Sequence, residues 1–290
     1  MSVTAAKSGA AMNVPRAPLP SATTASDASA ALLTQLLNSS EDGAVDTILV
    51  RALGEEAAVV RDAALKAGAQ MVKGPGLGKS SELLEAFERI LDSSPPADAG
   101  RTERLNGAVL SLMGELGEVL DQHQLSQVLK RHIVLLRHAS PLVAGGAARG
   151  IACAMRGALA SGKATLDGEI KSLLDSAMKE VASAKTPEES RGGAYGVGAC
   201  VGAAGATGLG HFGVMAALIA IIEGSSSKET PCARESAVLA IGQLSKELGA
   251  SFEPFGIPMM RQLVALYADK DNKVAHAAGS AVRAMLSQLS

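Results

Sequence analysis

Apolar residues recur at helical spacing along most of the chain. In the clearest case, between Ile170 and Val181, they occupy positions i, i+3, i+4, i+7, i+8 and i+11. The same pattern appears in three further segments, 125–136, 260–267 and 282–289. Each segment predicts an amphipathic helix with one buried stripe, and no stretch alternates with the period of two that indicates a strand. The pattern therefore predicts an all-α protein.

Short turns containing proline or glycine separate these helices. They lie at 73–78, 93–96, 140–141, 186–187 and 230–231. Ser140, Thr186 and Thr230 each precede a proline, which predicts a helix N-cap followed by proline in the first helical position. Glu189 completes the spacing of a capping box after Thr186. We expect helical hairpins joined by tight turns.

A small residue recurs at nearly constant intervals along the chain. The positions are Ala64, Ala108, Ala147, Ala194, Ala237 and Ala278. The interval ranges from 39 residues (Ala108 to Ala147) to 47 residues (Ala147 to Ala194). This period is typical of HEAT repeats, in which two antiparallel helices form one unit. We therefore predict a right-handed α-solenoid of about six HEAT-type hairpins, of the armadillo-like helical class.

The register of the repeat places the helices of each hairpin. We expect the first helices near 43–53, 80–92, 123–138, 166–184, 208–223 and 254–268, and the second near 57–72, 101–120, 141–159, 187–205, 231–249 and 272–289. The second helices should stack side by side, and the 31 glycines predict close approach between them. In the last helix we expect Val282, Met285, Leu286 and Leu289 to expose apolar surface unless another repeat follows.

Composition separates the N-terminal segment from the solenoid. Residues 1–27 are rich in serine, alanine, threonine and proline, which predicts disorder, although an organelle transit peptide has the same composition. Residues 28–290 form the predicted solenoid. Cys153, Cys200 and Cys232 have no disulfide or zinc-ligand spacing, so we interpret them as small core residues in a reducing compartment.

Several segments resemble a known family more specifically than the repeat period does. They are Leu83–Glu88, Leu112–Gly117, Ser190–Gly202, Met215–Leu218, Arg234–Ala237, Leu248–Gly249, Phe252–Pro254 and Ala281–Met285. Between about residues 55 and 290 the chain is similar to the central array of the general-control translational activators, most clearly within 190–285. These segments are packing motifs, so they indicate a lineage without marking a site.

The resemblance implies a cytoplasmic, non-enzymatic scaffold that binds ribosomes and activates the amino-acid-starvation kinase of initiation factor two. It also implies kinase-regulatory partners and an ATP-binding-cassette partner. In this family the kinase-binding segment lies later in the array, and the cassette partner is thought to dock on a neighbouring region related to the HEAT part of fungal elongation factor three. The resemblance assigns neither contact to residues of this chain. A generic HEAT adaptor without ribosome contact is the alternative.

Charge distribution supplies the candidate binding residues. The formal net charge is only -2, so any basic surface must be local. Segment 81–121 is predominantly acidic, whereas 122–166 contains no aspartate or glutamate. The basic segment contributes six candidate residues for contact with ribosomal RNA or an acidic protein: Lys130, Arg131, Arg137, Arg149, Arg156 and Lys163. The alternative is a solvated surface whose charges balance those of the neighbouring acidic repeat.

Rival functions have weaker signals. The loop Gly74–Ser80 ends like a phosphate-binding loop, but Lys73 stands where the motif needs glycine and a helix precedes it. Segment 192–222 lacks charged residues and is long enough to span a bilayer, although its glycines interrupt any continuous apolar helix. His132 lies on an apolar stripe, as a core histidine does. We therefore expect no catalytic residues, metal, cofactor, small-molecule substrate or membrane partner.

Overall fold

The computed structural model describes residues 22–38, 47–93, 98–224 and 231–288. Within these ranges the ordered elements are helical, and none is a strand. The helices are α1 (Ala22–Asn38), α2 (Ile48–Leu53), α3 (Ala58–Lys73), α4 (Ser80–Asp92), α5 (Ala99–Gly114), α6 (Gln122–Leu135), α7 (Pro141–Ala160), α8 (Lys171–Ser183), α9 (Pro187–His211), α10 (Val214–Gly224), α11 (Pro231–Leu248), α12 (Glu253–Ala265) and α13 (Asn272–Leu286).

From α2 onward the helices form six hairpins. Each even-numbered helix packs against the odd-numbered helix that follows it, as α6 does on α7 and α12 on α13. The second helices also stack on one another in the order α3, α5, α7, α9, α11 and α13. This arrangement confirms the predicted α-solenoid, and every predicted helix overlaps an observed one.

Amphipathic stripes and side-chain caps explain these helices. Leu83, Phe87 and Ile90 lie on one face of α4 and are buried. At the start of α9, the Thr186 side chain accepts from the Glu189 amide while Glu189 accepts from the Thr186 amide, which confirms the predicted capping box. Ser140 occupies the N-cap position before α7, but its side chain makes no capping bond, because its hydroxyl donates to Glu103 on α5 at 2.8 Å. Thr230 lies outside the described residues.

Glycine brings α5 and α7 into backbone contact. A Cβ atom on Gly146 would lie 2.5 Å from the Cα of Gly107, and one on Gly114 would lie 2.6 Å from the Cα of Gly150. Farther along, a Cβ on Gly117 would lie 2.5 Å from the Cα of Ala154. These distances confirm the predicted close approach of second helices. We call this contact the glycine seam.

Two predictions about the ends of the chain need correction. Helix α1 begins at Ala22, so the last part of the segment predicted to be disordered is helical; residues 1–21 lie outside the described residues. In α13, Val282 and Met285 are buried because this stripe faces α11 and α12, and only Leu286 is exposed, at 55%. The expectation of an exposed apolar stripe is therefore wrong for Val282 and Met285. Leu289 is not among the described residues.

Candidate interaction surfaces

The six predicted basic residues lie on two different sides of the third hairpin. Lys130 and Arg131 are on the first helix, α6, and Arg137 lies in the turn just after it, whereas Arg149 and Arg156 are on the second helix, α7. Lys163 follows α7 in the connection to α8. The basic segment of the sequence is therefore not a single face.

On the α6 side, acidic residues of both neighbouring hairpins pair with the basic residues. Arg131 forms an ion pair with Asp92 of α4, and Arg137 pairs with Glu180 of α8 at 2.7 Å. The hydrogen bond to Glu180 and its negative charge raise the pKa of Arg137. Lys130 is exposed and has no hydrogen-bond or ion-pair partner among the described residues. It is the basic residue of α6 that is free to meet a partner.

Lys130 and Lys163 border an outer groove of about 440 Å³ between α6 and α8. Its floor is apolar and includes Leu129, Met155 and Leu173. Lys163 does more than add charge, because its ammonium group donates to the carbonyl oxygens of Glu118 and Leu120 at 2.7 and 2.6 Å. These bonds tie the end of α7 to the chain that follows α5.

On the α7 side, a second groove of about 530 Å³ is lined entirely by second helices. We call it the inner groove. Arg149 lines it together with Arg61 of α3, Arg104 of α5 and Lys246 of α11. Arg156 lies nearby on α7, and its guanidinium donates to the carbonyl oxygen of Gly202 on α9 at 2.9 Å. This bond joins successive second helices.

Three cations of the inner groove were missed by the sequence analysis. Arg61, Arg104 and Lys246 lie outside the basic segment and come from three other hairpins. A signal for Lys246 was available in the repeat register, because it lies nine residues after Ala237, as Arg156 lies nine residues after Ala147. Aligning charges by repeat position would have found it.

Glu247 is the carboxylate that faces the basic residues of α7. A Cβ on Gly202 would lie 3.0 Å from its Oε2, so the side chain packs across bare backbone of α9. Burial raises the pKa of Glu247, and the charges of Arg149, Arg156 and Lys246 oppose that rise. Glu247 lines the inner groove together with Arg149 and Lys246.

The rival site at Gly74–Ser80 is a turn in which backbone amides already donate hydrogen bonds to backbone carbonyl oxygens. The amides of Gly74 and Gly76 donate to Gln70 and Met71 at 2.9 Å, and the amide of Lys79 donates to Gly76 at 2.9 Å. A phosphate loop needs such amides free to face the ligand. Helix α3 ends directly before the turn, as the sequence interpretation required.

The surroundings of Cys153 and Cys200 disfavour the thiolate form of both residues. Burial raises the pKa of Cys153 to about 11 and that of Cys200 to about 12, which keeps both as thiols at neutral pH. Groups of three or more potential metal ligands are absent from the described ranges.

Over the described ranges, no individual helix has both the length and the apolar character needed to cross a membrane. Helices α9 and α10 together are long and apolar enough to span a bilayer, but they meet at a bend of 81°.

His132 is a core residue, as its position on an apolar stripe predicted. It is fully buried on α6, and its ring nitrogens lie 2.7 Å from the Val128 carbonyl oxygen and 2.9 Å from that of Leu110. Gly150 leaves space for the ring, since a Cβ there would overlap it. Burial lowers the pKa of His132, an effect that the two carbonyl groups oppose.

His132 should make the free energy of unfolding depend on pH. The lowered pKa means that the unfolded chain binds more protons below the ordinary value of 6.5. The stability that neutral His132 provides is therefore complete above pH 6.5 and is lost as the pH falls towards the lowered folded value. We expect a loss of up to about 1.4 kcal/mol per pH unit in that window. Urea unfolding at pH 7.5, 6.0 and 5.5 measures it, with His132→Asn as the non-titrating control. If the free energy of unfolding changed equally with pH in the wild type and in His132→Asn, this role of His132 would be contradicted.

Comparisons with known proteins agree with the architecture and extend it. The model of the EF3 N-terminal HEAT repeat family matches residues 190–290. The eIF-2-alpha kinase activator GCN1 of Dictyostelium discoideum is 28% identical over 225 residues, and the stalled ribosome sensor GCN1 of Homo sapiens is 26% identical over 261 residues. These alignments cover 77% and 89% of this chain. The chain is homologous to GCN1 proteins.

The homology to GCN1 confirms the resemblance found in the sequence. Protein ILITYHIA of Arabidopsis thaliana is also similar, at 30% identity over 85% of this chain. The chain spans 8% to 9% of the length of these three relatives. The match to the EF3 family lies within the chain, which corrects the expectation that the EF3-related region is a neighbouring one. A designed armadillo repeat protein aligns over 82% of this chain and 98% of its own, at 16% identity and a TM-score of 0.31.

Proposed function

We propose that the chain is a non-catalytic HEAT-repeat scaffold in translational control, acting in the cytoplasm by holding a ribosome and kinase-regulatory proteins together. The observation that carries the proposal is the similarity of most of the chain to two proteins named GCN1, one a kinase activator and one a ribosome sensor. An ATP-binding-cassette partner is part of the proposal, supported by the match of residues 190–290 to the EF3 family. The hydrogen-bonded amides of the Gly74–Ser80 turn support a scaffold over a nucleotide-binding enzyme that would use this turn.

Within this proposal, the α6 side carries the ribosome contact. Lys130 is exposed and unpaired among the described residues; Arg131 follows it on α6, and Arg137 lies in the turn just after that helix. Ion pairs with Asp92 and Glu180 hold these arginines at the surface, where a phosphate can replace a carboxylate as the partner. Arg156 and Lys163 bond to backbone carbonyls and contribute chiefly to packing.

Co-sedimentation with ribosomes tests this contact. The wild-type chain should bind, and its affinity should fall as salt rises, because phosphate contacts release counterions. Lys130→Glu should weaken binding about fivefold at low salt and reduce the slope of log affinity against log salt by about 1. The substitution should leave the melting temperature unchanged, since Lys130 has no bonded partner among the described residues.

The matched control is Arg261→Glu, which reverses one charge on α12, the first helix of the last hairpin. It should sediment like the wild type. Equal loss in both variants would indicate a general charge effect and remove the assignment to α6. Absence of sedimentation at low salt would favour the generic adaptor over the ribosome-binding scaffold.

A further inference from the structure

The inner groove has the shape and chemistry of a binding site for an extended chain. Side chains from α3, α5, α7, α9 and α11 line it, so it runs across five hairpins. Gly145 contributes bare backbone beside Pro141 and Leu142 at the start of α7. Among atoms of other segments, the nearest to a Cβ built on Gly145 is the Tyr195 hydroxyl, at 3.9 Å, which leaves space for a ligand backbone at that point.

Cations outnumber anions in the groove. Four basic residues line it, against two acidic residues, Asp62 and Glu247. Arg61 donates to the carbonyl oxygen of Glu55 at 2.8 Å, and this bond fixes its guanidinium group without neutralising its charge. Arg104 donates to the carbonyl oxygen of Gly54 at 3.0 Å and also forms an ion pair with Asp98 at 3.8 Å, so its charge is partly balanced within the protein. Arg149 and Lys246 are exposed and form no hydrogen bond or ion pair with the described residues. A ligand with negatively charged side chains would neutralise the positive charge of these basic residues.

The groove also offers an apolar contact. Leu142 is 46% exposed although it lies on a second helix, and Leu65 and Tyr195 line the same groove. A large apolar side chain that stays exposed beside fixed charges is typical of an interface core with a polar rim. An occupant should therefore combine acidic residues with an aliphatic one.

The same composition disfavours single-stranded RNA. Tyr195 is the aromatic residue among those that line the groove, whereas non-specific binding of single strands uses several rings as stacking platforms. Asp62 and Glu247 would repel a continuous phosphate backbone, but they can accept hydrogen bonds from peptide amides. We propose that the inner groove binds an acidic linear peptide segment of a partner protein, with a leucine-like side chain placed against Leu142.

This inference is independent of the ribosome contact on α6, because the two surfaces use different residues. A fluorescein-labelled decapeptide, Glu-Glu-Asp-Glu-Leu-Glu-Glu-Asp-Glu-Glu, serves as the probe in fluorescence anisotropy at 50 mM salt. We expect saturable binding, weakened about tenfold or more in the double variant R149E/K246E. Leu142→Ala should lower the affinity for this peptide but leave the affinity for a leucine-free peptide of the same charge unchanged.

The controls separate the alternatives. Lys130→Glu, on the other surface, should bind the peptide normally, and R149Q/K246Q should give an intermediate affinity with an unchanged melting temperature. No saturable binding by the wild type, or equal binding by R149E/K246E, would overturn the proposal. Tighter binding of a twelve-nucleotide oligouridylate, lost in R149E/K246E, would also overturn it and make the groove an RNA site.

Discussion

Replacing Gly146 with alanine is expected to destabilise the chain by about 3 kcal/mol. The new methyl group would lie 2.5 Å from the Cα of Gly107, which belongs to the backbone of α5 and cannot rotate away. The glycine seam would have to open, and contacts on both sides of it would be lost. Thermal unfolding followed by circular dichroism should show a melting temperature lower by roughly 10 °C.

Gly145 provides the matched control on the same helix. It is the adjacent residue, yet a Cβ there would meet only the Tyr195 hydroxyl, at 3.9 Å. Gly145→Ala should therefore be neutral or stabilise the chain by up to about 1 kcal/mol, because alanine favours the helical backbone. If the two alanine variants melted at the same temperature, the glycine seam would not be the tight contact described here.

A second large effect is expected at Gly205, where α9 bends. Its φ of 72° and ψ of -173° fall in a region that residues with a Cβ rarely adopt. A Cβ there would have no neighbour within 4 Å, so any cost comes from the backbone alone. Gly205→Ala should destabilise the chain by about 1–3 kcal/mol, measured by urea unfolding.

Gly210, in the same helix, provides a control that distinguishes the cost of backbone strain at Gly205 from the effect of replacing any glycine of α9. A Cβ there also has open space, and its φ is not positive. Gly210→Ala should be neutral or slightly stabilising. Destabilisation of equal size at both positions would mean that the bend at Gly205 is not what makes glycine necessary.

The sequence predicted the architecture because the repeat constrains each hairpin locally. The alanine spacing, the apolar stripes and the turn residues all act within about 45 residues, so they place α4 (80–92) and α7 (141–160) almost to the residue. The predicted break after residue 205 coincides with the bend at Gly205. The start of the helical part was not predicted, because the composition of residues 1–27 did not reveal that α1 begins at Ala22.

The candidate site was less predictable, because it depends on which hairpins meet in space. The basic segment looked continuous in sequence, but α6 and α7 present Lys130 and Arg149 to different grooves. Lys163 and Arg156 looked like free charges until their carbonyl partners on other segments were known. Lys246 and Arg149 line the same groove although another hairpin separates α11 from α7, and the sequence of a single repeat does not encode how distant repeats are placed relative to one another.

The inner groove has a thermodynamic consequence for the whole array. In a solenoid each repeat ordinarily contacts only its neighbours, so terminal hairpins can unfold while the middle stays folded. Here residues of α3 and α11, four hairpins apart, line one cavity. A molecule bound across it would connect distant repeats directly, and unfolding one end would require releasing that molecule. Occupancy of the groove would thus turn a chain of nearest-neighbour equilibria into a single cooperative unit.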